Sequence, residues 1–315
     1  MKITLKILLK NMNIIKPKFE IIEQDFDNDI FVNMYKHIEK CGRTCYKSDN
    51  KITEDSYKKF VDNLIKSKHG AMLEHGTVYF KLTMDYEKMK IVNKYMRNPY
   101  SCLTNDYKFY YVTTNFRVLV ENEWLDDLKY ICEPTEHHEK RITVKFICDI
   151  GVSREYNRHR KDSMAEESTR YCNYSKDKFS EDGDSSFGDI NGINICNPVW
   201  IDNINKVYSG NLSEYCEAIY TQNNDKFSDI DYWLFANLAC EYSYLNLIKL
   251  GWKPQQARTI LPLDTCTTLI HTAFVKDWKH FFDLRALGTT GAPHPSAKEL
   301  AEPLMKEFKN RGYIS

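Results

Sequence analysis

The segment from Asn157 to Tyr171 constrains the fold more than any other part of the sequence. It reads NRHRKDSMAEESTRY and is dominated by basic, acidic and hydroxyl side chains. So polar a segment cannot form core, and it must be solvated, paired with opposite charges or bound to a ligand. Taken without context, the pattern is typical of a salt-bridged surface helix. Its place after a strand-like segment favours an anion site instead, where backbone donors and guanidinium groups converge.

Composition limits the classes of function. With 315 residues, 42% of them hydrophobic, the chain can bury a core and is expected to be globular. Lys plus Arg and Asp plus Glu each total 44, so we expect no binding to nucleic acid or to a membrane, and any anion site must be local. Ten cysteines without CxxC or metal-like spacing predict reduced thiols in the cytoplasm and no metal site. Lysines interrupt the apolar amino terminus, which therefore does not resemble a signal peptide, and no stretch approaches the roughly 20 apolar residues of a membrane span.

The apolar periodicity predicts helices and strands in mixed order. Because we find no repeat, linker or clear boundary, residues 1–315 are expected to form a single α+β domain, with a central, largely antiparallel or mixed sheet flanked by helices. The predicted helices are 31–38 ending at Gly42, 57–65 capped by Thr53, a short one capped by Ser153, 229–250, 255–258, one capped by Asp277, and 295–308 kinked at Pro303. The predicted strands are 78–82, 109–120, 142–150 and 265–275, and residues 182–192 are expected to form a mobile surface loop.

Common catalytic motifs are missing from the sequence, but arginines are plentiful. There is no GxGxxG after a strand, no GxxxxGK[ST], no GxSxG and no HExxH. Arg158, Arg160 and Arg170 lie in one segment, and Arg258 and Arg285 follow later. Guanidinium groups bind phosphate bidentately and stabilise planar anions, so this set suits a nucleotide. A helix-end salt bridge for Arg258 and a helix-dipole contact for Arg285 stay open as alternatives.

Several of these residues occur in a pattern that resembles a known family. Arg158-His159-Arg160, followed after seven residues by Ser168, resembles the signature of the flavin-dependent thymidylate synthases, and the resemblance continues to Tyr171. Three further elements match in family order: His69 with Glu74-His75 resembles HxxxxEH, Arg258 with Leu261-Pro262 resembles ARxxLP, and Leu284-Arg285-Ala286 resembles LRA. The resemblance covers most of the chain, with insertions at about 86–139 and 175–200.

The resemblance implies a homotetramer that binds flavin adenine dinucleotide (FAD) and converts dUMP to dTMP. Methylenetetrahydrofolate would supply the carbon, and NADPH would supply the reducing power through the flavin.

The resemblance also assigns residues to ligands. Arg285 would lie against the uracil edge and is the expected catalytic residue, because a fixed cation there stabilises the deprotonated base. Ser168 is assigned to binding rather than to covalent attack. The residues that resemble the family's dUMP contacts are Glu155, Tyr156, Asn157, Arg158, Glu166, Glu167, Ser168, Thr169, Arg170, Arg258 and Arg285. Those that resemble its FAD contacts are His69, Ala71, Glu74, Arg158, His159, Arg160, Glu166, Phe274, Val275, Lys276 and His280.

Four residues depart from the family pattern. Glu155 stands where many members have Gln, and its carboxylate would repel a nucleotide phosphate unless it were protonated or paired with an arginine such as Arg158. Ala71 replaces a common Thr or Ser, and Phe274 and His280 replace Asn. These replacements affect individual flavin contacts and leave the arginines unchanged.

Two alternatives come from other classes of protein. The first is a folate- and flavin-dependent enzyme that methylates uracil in RNA, although a chain of zero net charge without a basic stripe is a poor match for a polynucleotide. The second is a non-enzymatic nucleotide-binding protein that keeps the arginine segment without the chemistry.

Overall fold

The structure is a computed structural model that describes residues 13–174, 192–201, 216–217, 220–221 and 227–315. The loop predicted at 182–192 lies outside these residues except for its last position, as does most of the insertion predicted at 175–200. Within the described ranges, no helix is long and apolar enough to cross a membrane.

The described strands form three sheets. A two-stranded sheet pairs β1 with β8, a four-stranded sheet has the order β2-β6-β9-β7, and a three-stranded sheet has the order β3-β5-β4. The strands are β1 Asn13–Ile15, β2 Lys18–Ile22, β3 Thr77–Thr83, β4 Cys102–Asn105, β5 Phe109–Asn115, β6 Arg141–Asp149, β7 Ser163–Glu166, β8 Asn194–Cys196 and β9 Cys266–Phe274.

Helices lie between these strands along the chain and after the last of them. They are α1 Ile30–Cys45, α2 Ser56–Lys66, α3 Gly70–Leu73, α4 Tyr86–Met96, α5 Phe116–Glu121, α6 Ile150–Tyr156, α7 Asp229–Lys249, α8 Pro254–Ala257, α9 Val275–Phe282 and α10 Pro295–Asn310. A π-helical turn, Asp283–Leu287, follows α9 directly. The α+β prediction with mixed sheets flanked by helices is confirmed.

The chain divides into two compact units. Unit 1 contains the described residues of Met1–Lys18, Ile147–Arg154 and Glu167–Thr267, and unit 2 contains Phe19–Phe146, Glu155–Glu166 and Thr268–Ser315. The organisation as a single domain stays a prediction.

In unit 2, the four-stranded sheet contains β7 and most of β6 and β9. Strand β7 pairs antiparallel with β9, with Ser163 opposite Thr272 and Glu166 opposite Leu269. All nine residues of β9 are buried, so this strand forms the centre of the unit. Its apolar and β-branched sequence predicts such a strand.

The insertion predicted at 86–139 contains two strands of the three-stranded sheet of unit 2, β4 and β5. Strand β5 pairs antiparallel with both β3 and β4. Val78, Phe80 and Leu82 of β3 lie in a core that also contains Val112 of β5 and Tyr95 of α4. The insertion therefore shares a hydrophobic core with β3, which precedes it in the chain.

In unit 1, α7 is the longest described helix. Ser228 caps it through a capping box with Asp231, and Gly251 follows its end with a φ of +95°. Tyr244 and Leu245 of α7 pack in a core with Ile195 of β8 and with Ile193, which directly precedes that strand. The helix predicted at 229–250 is confirmed.

Several predicted element ends are wrong because other residues cap the helices. Helix α1 continues past Gly42 to Cys45, and a Cβ at Gly42 would lie 2.8 Å from the Phe60 ring. Helix α2 begins only at Ser56, whose hydroxyl accepts a hydrogen bond from the Thr53 amide. Asn115 ends β5 and caps α5, so the strand predicted at 109–120 is helical from Phe116.

Two further caps differ from the prediction. Helix α6 begins before Ser153, and the Asp149 carboxylate accepts a hydrogen bond from the Val152 amide at 2.7 Å. Helix α9 begins at Val275, so Asp277 lies within its first turn rather than at its cap. Pro303 lies inside the continuous helix α10, and the kink there stays a prediction.

Candidate functional site

The polar segment connects α6 to β7. Tyr156, the last residue of α6, is fully buried, and its hydroxyl donates a 2.7 Å hydrogen bond to the carbonyl oxygen of Ala297. Residues 157–162 then form turns before β7 begins at Ser163. Glu166, at the end of β7, accepts a 2.9 Å hydrogen bond from the side-chain Nδ2 of Asn157. Both ends of the connection in unit 2 are therefore anchored.

Arg285 is the centre of a charged cluster in unit 2. Its Nη1 lies 2.8 Å from the Glu155 carboxylate, its Nη2 lies 2.6 Å from the Glu155 carbonyl oxygen, and its Nε lies 3.2 Å from His159 Nε2. Only 12% of the Arg285 side chain is exposed, whereas Arg158, which pairs with Glu155 at 3.2 Å, is 69% exposed. Of the two possibilities given above for Glu155, protonation or pairing with an arginine such as Arg158, the structure shows the pairing, and Arg285 adds a second partner.

His159 is an uncharged hydrogen-bond acceptor in this cluster. Burial, followed by the nearby His271, lowers the pKa of His159 to about 4. Its ring packs 5.0 Å from Phe281 and 5.9 Å from His280, measured between centroids. Because Nε2 accepts the Arg285 bond, the proton of the neutral ring must lie on Nδ1. His159 therefore orients Arg285 without adding charge.

A buried pair that the sequence analysis missed fixes the same connection. His271 Nε2 lies 2.6 Å from the Asp162 carboxylate, and their side chains are 0% and 3% exposed. The pair ties the turn before β7 to the central strand β9. The sequence does contain a signal for this pair, because His271 is the one histidine in an otherwise apolar and Thr-rich strand.

Apart from those at 158–166, the predicted FAD residues occupy two places in unit 2. His69 precedes α3, Ala71 lies on it, and Glu74 follows it and pairs with Arg117 at 2.5 Å. Phe274 ends β9, and the Lys276 amine lies 5.1 Å from its ring centroid. His280 lies one turn later on α9.

Two cavities border these residues. One, of about 190 Å³, is lined by Glu74 and Arg117, and the other, of about 50 Å³, is lined by Phe274 and Lys276. The second cavity also contains Arg141 and Lys161, so its donors fit an anionic group such as a phosphate. A further cavity of about 200 Å³ beside β2 and β6 is lined by none of the predicted ligand residues.

Part of the predicted dUMP set lies in unit 1. The amides of Tyr171 and Cys172 both donate to the Ser168 carbonyl oxygen, which forms a turn over 168–172. Arg258 Nη1 donates a 3.1 Å hydrogen bond to the Thr169 hydroxyl. Glu167 is buried, whereas Arg170 and Arg258 are exposed. Unit 1 therefore brings Thr169 and Arg258 together, although they are 89 residues apart.

No cluster of three or more His, Cys, Asp or Glu side chains suited to a metal ion occurs among the described residues.

Arg160 is exposed on the connection to β7. Val275 begins α9, and its amide donates to the Lys140 carbonyl oxygen.

Comparisons with known proteins give one family and two solved structures. The family described as "Thymidylate synthase complementing protein" matches residues 129–311, more than half of the chain. No curated protein matches. A crystal structure of a UMP/dUMP methylase, PolB, from Streptomyces cacaoi bound with 5-Br dUMP is 14% identical with a TM-score of 0.40, over 95% of this chain and 93% of that one. The same methylase bound with 5-Br UMP is 13% identical with a TM-score of 0.40, over 95% and 92%.

Proposed function

The chain belongs to the thymidylate synthase complementing protein family, and from that membership we propose that it converts dUMP to dTMP as a flavin-dependent thymidylate synthase. Methylenetetrahydrofolate is the proposed carbon donor and NADPH the proposed reductant. The matched residues 129–311 contain the arginine segment and Arg285, whereas His69, Ala71 and Glu74 precede them.

The observation that carries the proposal is the rigid placement of Arg285. Three hydrogen bonds, two to Glu155 and one to His159, engage three of the five N–H groups of a guanidinium. The other two N–H groups are available to a ligand. We propose that they face the uracil edge of dUMP, where a positive charge stabilises the N3-deprotonated base and makes its C5 more nucleophilic. A cation that is already oriented does this without reorganisation during the reaction.

Residues of unit 1 are proposed to bind the nucleotide through its phosphate. Arg258 and Arg170 are exposed cations, and Arg258 is oriented by the Thr169 hydroxyl. A guanidinium binds a phosphate bidentately, so Arg258 is the proposed principal contact and Ser168 and Thr169 supply hydroxyl donors. Glu167 is proposed to support this turn. In unit 2, Tyr156, Asn157, Arg158 and Glu166 are proposed to complete the dUMP contacts.

The other predicted residues of unit 2 are proposed to bind FAD, which would pass electrons from NADPH to the transferred carbon. Lys276 and Arg160 provide positive charge, and His159 and His280 provide ring edges. Phe274 cannot form the side-chain hydrogen bond of the Asn it replaces, so its proposed contribution is an apolar contact. The backbone of Val275 and Lys276 is already bonded to Lys140 and Glu139, which fixes this part of the site.

Homotetrameric assembly in the cytoplasm is also proposed. Several apolar side chains of α7 and the residues after it are exposed in unit 1, including Tyr242 at 43%, Trp252 at 45% and Leu250 at 79%. Such exposed apolar groups support self-association.

The decisive experiment uses the purified full-length protein. We expect it to carry the visible absorbance of oxidised FAD, to bleach with NADPH and dUMP, and to form dTMP when methylenetetrahydrofolate is added. A protein that binds no flavin and forms no dTMP would overturn the proposal. Methylation of uracil in RNA, with dUMP inert, would favour the RNA alternative.

A further inference from the structure

The insertion at 86–139 lines a groove in unit 2 together with the predicted FAD residues. The cavity of about 190 Å³ and the cavity of about 50 Å³ share two lining residues, Tyr100 and Asn115, so they adjoin. Glu74 lines the first cavity, and Phe274 and Lys276 line the second. The shared residues both come from the insertion. We call the two cavities together the Tyr100 groove.

Tyr100 is held in place with its ring half exposed. The Asn98 side chain accepts hydrogen bonds from the Tyr100 amide at 2.9 Å and from the Ser101 hydroxyl at 3.2 Å. Ser101 in turn bonds to Thr114 of β5 at 2.8 Å. These contacts fix the turn after α4 against the sheet, while 51% of Tyr100 stays exposed. A rigid, accessible aromatic ring of this kind can stack on a planar base at little entropic cost.

Charge differs between the two ends of the groove. In the larger cavity, Arg117 is bonded to both Glu74 and Glu121, so the charges there leave no excess cation. In the smaller cavity, Arg141, Lys161 and Lys276 outnumber the carboxylate of Asp277. The Arg141 guanidinium donates hydrogen bonds to three neutral oxygens, those of the Glu74 backbone, the Thr77 hydroxyl and the Ser163 hydroxyl. A phosphate is therefore attracted to the smaller cavity, and an uncharged base suits the larger one.

The size of the groove agrees with part of a dinucleotide. Pockets for whole drug-sized ligands are about 300–1,000 Å³, so a cavity of about 190 Å³ suits one base rather than all of FAD. Asn98, Asn115 and Asn122 line it. The side-chain oxygens of Asn98 and Asn115 and the side-chain nitrogen of Asn122 bond within the protein, so the nitrogens of Asn98 and Asn115 and the oxygen of Asn122 are the atoms that can meet the edge of a base.

We propose that the Tyr100 groove binds the adenosine diphosphate end of FAD, with adenine stacked on Tyr100 and the diphosphate beside Lys161 and Lys276. The inference rests on the proposed function for the identity of the dinucleotide. It assigns a ligand-binding role to the insertion. Tyr100 would supply a contact to FAD in place of the polar contacts that the Ala71 and Phe274 side chains cannot make.

The test compares Tyr100→Ala with Tyr107→Ala in the full-length protein. Tyr107 is a matched control, because it is fully exposed, lies in the same insertion and lines neither cavity. Dissociation constants for FAD, for FMN and for ADP alone are measured by calorimetry and flavin fluorescence. We expect Tyr100→Ala to weaken the binding of FAD and of ADP about tenfold or more, as removal of one stacking ring does elsewhere. The binding of FMN by this variant, and of all three ligands by Tyr107→Ala, should equal that of wild type. Lys161→Gln tests the phosphate end and is expected to weaken ADP more than adenosine.

The outcomes separate the two proposals. If the wild-type protein binds FAD while Tyr100→Ala and Lys161→Gln bind FAD and ADP within twofold of wild type, the groove inference is overturned and the flavin enzyme stands. If the wild-type protein binds ADP with dependence on Tyr100 but binds no FAD, the groove is confirmed as a nucleotide site and flavin dependence fails. Binding of neither ligand overturns both. Circular dichroism of each variant confirms that it is folded.

Discussion

Arg285 contacts Glu155 through both the side chain and the main chain, at 2.8 Å from the carboxylate and 2.6 Å from the carbonyl oxygen. The main-chain contact does not depend on the identity of residue 155. A substitution at residue 155 can therefore remove the negative charge while Arg285 keeps its hydrogen bond to the main chain. The effect of that charge on ligand binding can then be measured apart from the orientation of Arg285.

Replacing Arg285 by Ala is expected to abolish most dTMP formation while FAD stays bound. The loss of a preorganised charge beside the reacting base should lower kcat by about 100- to 1,000-fold. Turnover and flavin absorbance are measured on the same preparation. Arg311→Ala is the control, because Arg311 also pairs with glutamates but lies on the exposed end of α10. Turnover of Arg285→Ala within threefold of wild type would remove Arg285 from the chemistry.

Replacing Glu155 by Gln is expected to tighten dUMP binding by roughly fivefold at low salt. The substitution removes a negative charge that partly neutralises Arg158 and Arg285, while the amide oxygen still accepts a hydrogen bond. The gain should shrink as salt screens the charges. Calorimetry with dUMP at two salt concentrations measures both effects. Glu302→Gln, on the exposed face of α10, is the control, and weaker binding by Glu155→Gln would contradict the electrostatic argument.

Replacing Arg258 by Ala is expected to raise the KM for dUMP by about 10- to 100-fold with little change in kcat, because a charge-assisted phosphate contact is lost. Deoxyuridine, which has no phosphate, serves as the comparison substrate. Its weaker use by the enzyme should be unaffected by the substitution. Lys249→Ala, an exposed cation at the end of α7, controls for a general change in charge. An equal effect on both substrates would show that Arg258 does not bind the phosphate.

Unit 2 is expected to lose stability as the pH falls below about 6.5. Burial, followed by the charges of Lys40 and Arg141, lowers the pKa of His37 from 6.5 to about 3. Between these values the unfolded chain binds a proton that folded His37 does not, so stability is present above pH 6.5 and falls by about 1.4 kcal/mol per pH unit on acidification. Urea unfolding at pH 7, 6 and 5 measures the free energy of unfolding at each pH. Its decrease per pH unit should be smaller for His37→Gln than for wild type, and replacement of the exposed His137 should leave that decrease unchanged.

Replacing Gly42 by Ala is expected to destabilise the protein by about 1–3 kcal/mol through overpacking. The added methyl group would lie 2.8 Å from the Phe60 ring. Phe60→Leu should recover part of the loss in the double variant, which a thermal unfolding series with both single variants measures. Additive losses would show that the two positions are independent.

Much of the fold follows from periodicity, but contacts between distant residues do not. The spacing of apolar residues correctly predicts α2, β6 and α7, because one buried face determines each element. Caps were less predictable, because Asn115 and Asp149 accept the capping hydrogen bonds from the Val118 and Val152 amides, and other polar residues nearby in the sequence could have done so instead. Within the site, the i,i+3 pairing of Glu155 with Arg158 follows from helical spacing. The contact of Glu155 with Arg285 spans 130 residues and that of Asp162 with His271 spans 109, so only the folded chain reveals them.

The two larger sheets differ in how far apart their strands lie along the chain. Strands β3, β4 and β5 all fall within Thr77–Asn115, whereas the four-stranded sheet joins β2 near the amino terminus to β9 near the carboxyl terminus. Closing short loops costs less conformational entropy than joining distant segments. The three-stranded sheet is therefore expected to fold early, during synthesis of the chain, and completion of the four-stranded sheet is expected to set the folding rate.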